Sequence, residues 1–223
     1  MKWRAVLFDL DGTLLNTLAD LADAMNRVLN RHDFPGHDYE SYKYMIGNGM
    51  EILTHRALPG QSFSKEAVAE YLRQLRVEYE AHWADQTKPY PGIEELLAFL
   101  NRYEMRLAVL SNKADDFTKQ MIRHLLPKGD FEIVEGAKPD VPLKPDPTVA
   151  LSIAARMNLD PSDFLYLGDT GIDMRTARAA GMYPVGVLWG FRKTEELREE
   201  GAAFLLKHPS ELQDFLVKVS LVR

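Results

Sequence analysis

Asp9-Leu10-Asp11-Gly12-Thr13 closes a short apolar run, Ala5-Val6-Leu7-Phe8, close to the start of the chain. A buried strand that ends in two carboxylates and a glycine turn restricts the fold more than any other feature. Aspartate is a poor strand former and is rarely buried without a partner. At i and i+2 of an extended segment the two side chains point to the same side. Like charges that close repel, and a divalent cation is a common remedy. Taken alone, the five residues read either as a turn built from favoured turn residues or as a metal-assisted site at a strand end. A calcium loop of the EF-hand type needs Gly at its sixth position and Glu at its twelfth. Counted from Asp9 those positions hold Leu14 and Asp20, so that reading fails.

At 223 residues and 46% hydrophobic, the chain can bury one large core or two modest ones. A formal net charge of -6 supplies no basic field for nucleic acid or anionic lipid. The absence of cysteine excludes disulfides and thiolate chemistry and suits a reducing compartment. The first apolar run is too short for a signal sequence, and no stretch approaches the length of a membrane span. The chain reads as soluble and cytoplasmic, with no nucleic-acid or membrane partner.

After Thr13 the apolar spacing turns helical and stays so for about seventy residues. Leu18, Leu21, Ala22, Met25, Val28 and Leu29 lie on one face of a helix that ends near His32. Further helices are expected from Tyr39 to Ile46, from Met50 to Ala57, and from a Ser64 cap to about Trp83. No strand is expected in this block.

From Pro89-Tyr90-Pro91-Gly92 onward the rhythm becomes αβαβ. Strands are expected at Arg106–Leu110, Phe131–Val134, Phe164–Leu167 and Val185–Leu188. The helices between and after them fall at 93–103, 114–126, 148–157, 174–180 and 195–200, with a last one from a Ser210 cap to Val219. Alternating strands and helices predict an α/β fold with a Rossmann-like parallel sheet and right-handed crossovers. The first strand belongs to that sheet. Residues 1–14 and 88–223 are therefore expected to form the core, with 15–87 an all-helical insertion after the first strand. The links near 14–17 and 86–89 are placed to act as hinges.

Ligands of open α/β sheets bind beyond the carboxyl ends of the strands. After Leu107-Ala108-Val109-Leu110 come Ser111, Asn112 and Lys113, a hydroxyl and an amide that read either as site groups or as a helix opening. Lys144 stands just before Pro145, with Pro147 beyond, so the prolines fix its backbone. Gly168-Asp169-Thr170-Gly171-Ile172-Asp173 follows the third expected strand of this half. Asp173 also suits a helix N-terminus, whereas Asp169 closes a buried strand. Asp9, Asp11 and Asp169 offer hard oxygen ligands of the kind Mg²⁺ prefers. Ser111 and Lys144 supply a hydroxyl and a cation for phosphate oxygens. Together these are the parts needed for phosphoryl transfer through an aspartyl-phosphate.

Phe8 through Leu14, Leu110-Ser111-Asn112, Lys144-Pro145 and Gly168-Asp169 through Asp173 resemble the four motifs of haloacid dehalogenase superfamily phosphatases. The resemblance covers nearly the whole chain, and the helical insertion is similar to the cap of one branch. Ile46-Gly47-Asn48-Gly49, Tyr90-Pro91-Gly92 and Gly186-Val187-Leu188-Trp189-Gly190 resemble phosphoglycolate phosphatases within that branch. The resemblance implies that Asp9 is the nucleophile and Asp11 the proton carrier, meeting Mg²⁺ only through its backbone carbonyl. Asp169 would complete the metal ligands, with Asp173 orienting Lys144 or a metal-bound water. Ser111 and Lys144 would neutralise the transferring group, and Thr13 would steady the turn. Substrate contacts are expected from Thr13, Asn112 and the Gly47-Asn48-Gly49 loop, whose amides suit a small carboxylate.

The substrate this implies is a small phosphorylated metabolite, 2-phosphoglycolate first, handled by a monomer or homodimer. Pyrophosphate hydrolysis, sugar-phosphate hydrolysis or isomerisation, and a catalytically silent phosphate-binding module stay open. Dehalogenation needs neither Asp11 nor a metal and is disfavoured.

Overall fold

The computed structural model describes residues 3–60 and 63–221. The chain divides into two compact units, Met1–Leu15 with Pro89–Arg223, and Asn16–Lys88. The elements run β1 Ala5–Phe8, β2 Leu15–Asn16, α1 Leu18–Arg31, α2 Tyr39–Met45, α3 Met50–Ala57, α4 Lys65–His82 and β3 Lys88–Pro89. They continue with α5 Ile93–Arg102, β4 Arg106–Ala114, α6 Asp115–Leu125, β5 Phe131–Ala137, α7 Thr148–Arg156 and β6 Phe164–Gly168. The last are α8 Gly171–Ala180, β7 Tyr183–Val187, α9 Thr194–Glu199, β8 Phe204–Leu206 and α10 Ser210–Leu221.

Six strands form one sheet in the order β5-β4-β1-β6-β7-β8, and every adjacent pair is parallel. All four residues of β1 are fully buried, as expected of a central strand covered on both faces. One face packs Ala5 and Leu7 with Ala108, Leu110, Phe164 and Tyr166, closed by Ala150 and Ile153 of α7 and Ala177 of α8. The chain builds outward from β1 through β4 to β5, then returns to β6 and builds the other way. The carboxyl ends of β1, β4 and β6 therefore meet where the strand order reverses, the usual ligand crevice of such sheets.

The second unit holds α1 to α4. Asp38 caps α2 by accepting from the Ser41 N–H at 2.7 Å, and Ser64 caps α4 through the Ala67 N–H at 3.2 Å. Gly47 and Gly49 break the run between α2 and α3 with φ of 120° and 86°, values open to glycine at little cost. Buried Asp20 closes this unit on itself, accepting from the backbone N–H groups of Gln86 and Thr87 at 3.0 and 2.8 Å and from the Thr87 hydroxyl at 2.7 Å.

Several boundaries differ from the sequence expectation. β4 runs on through Ser111, Asn112 and Lys113, because a register irregularity between Leu110 and Ala114 lets pairing with β5 resume at Ala137. α8 begins at Gly171, since Thr170 and Asp173 form a capping box. The two-residue strands β2 and β3 pair at the links, where only helix and loop were expected. Phe204–Leu206, where no element was expected, adds an edge strand beside β7.

Candidate active site

Four strand-end segments converge. The Asp9 backbone N–H still pairs with the Leu167 carbonyl of β6 at 2.9 Å, so the residue expected to act as nucleophile is anchored to the sheet. The chain then turns, with Leu10 carbonyl accepting from Leu14 and Leu15 at 3.0 Å. Gly12 takes φ of 88°, and a Cβ there would overlap the Asp169 carboxylate. Glycine is thus required twice over at this position.

The carboxylates of Asp9, Asp169 and Asp173 gather with one oxygen of each within 4.8 Å of the others, all three buried. Lys144, also buried, donates to Asp9 Oδ1 at 2.6 Å and to Asp173 Oδ1 at 2.7 Å. Burial holds the Asp9 carboxyl well above the usual range; Lys144 opposes this, while Asp173 and Asp169 add to it. Burial works against the Lys144 charge too, yet the carboxylates of Asp173 and Asp9 outweigh it and hold the ammonium well above its ordinary value.

Asn112 holds the Lys144 backbone from both sides. Its Nδ2 donates to the Lys144 carbonyl at 3.1 Å, and the Lys144 N–H donates to its Oδ1 at 2.9 Å. Asn112, expected on the substrate, therefore sets the lysine in place. Ser111 is buried and accepts from the Lys113 N–H at 3.1 Å. Thr13, also expected on the substrate, donates from its hydroxyl to Asp169 Oδ1 at 3.1 Å. Asp173 Oδ2 accepts from the Thr170 hydroxyl at 2.7 Å and its N–H at 3.1 Å, which spends that carboxylate on the helix cap and on Lys144.

Asp11, expected among the metal ligands through its carbonyl, sends its carboxylate elsewhere. Lys113 Nζ lies 3.0 and 3.2 Å from its two oxygens. Sequence reading passed over Lys113; its signal was the position two residues beyond Ser111 at a strand end. A second omission is the loop after β7, singled out only as a resemblance. There Trp189 Nε1 donates to the Thr13 carbonyl at 2.9 Å, and the Phe191 N–H donates to Asp169 Oδ2 at 2.8 Å. Gly190 fits between, where a Cβ would overlap Asp169 and the Gly12 carbonyl. The Gly47-Asn48-Gly49 loop belongs to the other compact unit.

The donor set fits a divalent cation. Three hard carboxylates share one small volume, and burial disfavours the charge of Asp9, which Lys144 offsets only in part. Asp173 is already engaged, so Asp9 and Asp169 are the residues best placed to hold the ion.

Burial first, and then the Asp173 charge, pushes the Asp169 carboxyl up to about 7, against the Phe191 N–H, Arg192 and Thr13. An acid whose folded pKa is raised binds its proton more tightly in the folded chain. Its stabilising contribution is complete below about pH 4 and is lost as pH rises through about 7. Asp169→Asn carries no such proton. In EDTA, its melting temperature relative to wild type is expected to climb between about pH 4 and 7 and then level off. Thermal denaturation across that range checks this, and an offset independent of pH would contradict it.

Residues 6–187 match the family model described as haloacid dehalogenase-like hydrolase. This chain belongs to that family. It is 35% identical over 203 residues to a phosphoglycolate phosphatase of Nitrosospira multiformis, covering 88% of each chain. A phosphoglycolate phosphatase of Aquifex aeolicus is 31% identical over 209 residues, covering 94% of each. Among solved structures, a Lactobacillus delbrueckii subsp. bulgaricus protein provisionally assigned as a phosphoglycolate phosphatase superposes with a TM-score of 0.89 at 27% identity. That match covers 96% of this chain and 98% of the other.

Proposed function

We propose that this phosphatase hydrolyses 2-phosphoglycolate with Mg²⁺, through a phosphoryl group carried on Asp9. The observation behind the reading is the buried Asp9 carboxylate, gathered with Asp169 and Asp173 and tied to Lys144 at the end of the central strand. The two phosphoglycolate phosphatase relatives and the fold support the substrate.

Asp9 attacks phosphorus in line, forming an Asp9 O–P bond as the ester P–O bond breaks. The electron pair goes to the ester oxygen, which takes a proton from Asp11. Water then attacks phosphorus and gives its proton to Asp11, the Asp9–phosphorus bond breaks, and phosphate leaves. Lys144 steadies Asp9 and, with the Ser111 hydroxyl, neutralises the oxygens over which charge spreads. Asn112 fixes Lys144, and Asp173 sets the direction of its ammonium. Thr13, Trp189 and Phe191 hold Asp169 and its neighbouring turn. A divalent cation bound by Asp9 and Asp169 supplies further positive charge at the transferring phosphoryl group. Magnesium suits so few protein carboxylates, since it keeps several of its own waters.

The Gly47-Asn48-Gly49 loop supplies backbone amides for the glycolate carboxylate, and the helical unit acts as the cap that excludes water. With Mg²⁺ present, kcat/KM for 2-phosphoglycolate is expected to exceed that for other phosphate esters and for pyrophosphate by at least about tenfold. Phosphate release from a panel of these compounds measures it. No preference would remove the substrate assignment, and isomer formation without phosphate release would indicate a mutase.

A further inference from the structure

Lys113 is 5% exposed, and burying an ammonium costs several kcal/mol unless a partner compensates. Its partner is Asp11, both of whose oxygens lie within hydrogen-bond reach of Nζ, at 3.0 and 3.2 Å. The backbone of Lys113 is held as well: its N–H donates to Ser111 Oγ at 3.1 Å, and its carbonyl accepts from the Thr118 hydroxyl at 3.2 Å. The lysine is therefore fixed at its root, with its head on the Asp11 carboxylate.

The site thus carries two buried cations that divide three of its four acids between them. Lys144 takes Asp9 and Asp173, while Lys113 takes Asp11. Strand alternation alone would send Asp9 and Asp11 to the same side. The side-chain oxygens that gather are nevertheless those of Asp9, Asp169 and Asp173. Asp11 also keeps the larger share of solvent access, its side chain being 13% exposed against 8% for Asp9 and 1% for Asp173. We infer that Lys113 is a positioning residue that holds the Asp11 carboxylate apart from the three-acid cluster and aims it at the leaving-group oxygen of the ester. This rests on the phosphatase reading above. Lys113 keeps its own protons throughout; the proton that reaches the ester oxygen comes from Asp11 as the phosphorus–oxygen bond breaks.

Misplacement of a proton donor matters only where the departing oxygen needs the proton. A glycolate alkoxide is strongly basic and needs it, whereas a nitrophenolate departs without it. The measurement is kcat/KM, which reads the first half-reaction, for 2-phosphoglycolate and 4-nitrophenyl phosphate in wild type, Lys113→Met and Lys113→Arg. Lys113→Met is expected to lose about 30-fold or more on the alkyl ester and under about 3-fold on the aryl ester. Lys113→Arg, which keeps a two-pronged cation, is expected to recover most of the alkyl activity. Equal losses on both esters, or none on either, would overturn the inference. If the Met variant does not fold, Lys113→Gln decides: a loss confined to the alkyl ester supports the inference, and an equal loss on both esters or none on either overturns it. A wild type idle on both esters overturns the phosphatase reading itself, and the role of Lys113 falls with it.

Discussion

Asp9→Asn is expected to lower turnover by a factor on the order of 10⁴ or more while leaving the fold intact. Asparagine is close in shape but cannot form the phosphoryl ester on which hydrolysis depends. Wild-type protein quenched in acid during turnover is expected to carry a phosphoryl group on the peptide containing Asp9, and the variant none. Stability moves the other way. Burial, together with the charges of Asp173 and Asp169, disfavours the ionised Asp9 carboxyl. A neutral amide removes that repulsion, and Lys144 retains Asp173 at 2.7 Å. The melting temperature in EDTA is therefore expected to stay level or rise, as is common where a site trades stability for reactivity. Undiminished hydrolysis of 4-nitrophenyl phosphate by the variant would place the nucleophile elsewhere. Activity in neither protein would favour a phosphate-binding module.

Lys144→Met has the opposite signature, losing both stability and activity. Methionine matches the lysine stem in size but leaves Asp9 and Asp173 without the cation they share. Removing one partner of a buried ionic cluster costs roughly 3–5 kcal/mol. For a chain of this length that corresponds to about 10 °C in melting temperature. Turnover is expected to fall by a factor on the order of 10³, since the group proposed to neutralise the transferring oxygens is gone. Mg²⁺ is expected to restore part of the lost stability, because a cation held by Asp9 and Asp169 takes over some of the neutralisation. Calorimetry with and without Mg²⁺ reads this directly. A variant as stable as wild type in EDTA would show that the lysine is not what holds the acids together.

What was legible in the sequence was mostly local. The apolar runs before Asp9, Ser111 and Asp169 marked strand ends, and the rule that ligands gather beyond such ends named most of the residues that converge. The pairing of those residues was not legible. Lys113 with Asp11, and Trp189 with the Thr13 carbonyl, join positions far apart in the chain, and periodicity carries no information at that separation. The reach of β4 depended on its partner: Ser111 to Lys113 remain strand only because β5 accepts them after an irregular step. The start of α8 turned on one side chain, Asp173, whose contact with the Thr170 N–H draws Gly171 into the first turn. Phe204–Leu206 was too short to show alternation, and it is strand because β7 offers an edge.

The backbone N–H of Tyr90 donates to the carbonyl of Leu14 at 3.1 Å, which brings together the two points where the sheet-bearing unit is interrupted. Asp20 performs the matching closure from the other side of the interruption, tying the start of α1 to Gln86 and Thr87. Each unit is thus sealed at its own cut. Such an arrangement is a cassette: the stretch between the seams is open to replacement, lengthening or recombination with little demand on the sheet. A lineage built this way can exchange one block of coding sequence while the strand ends that gather the acids are inherited unchanged.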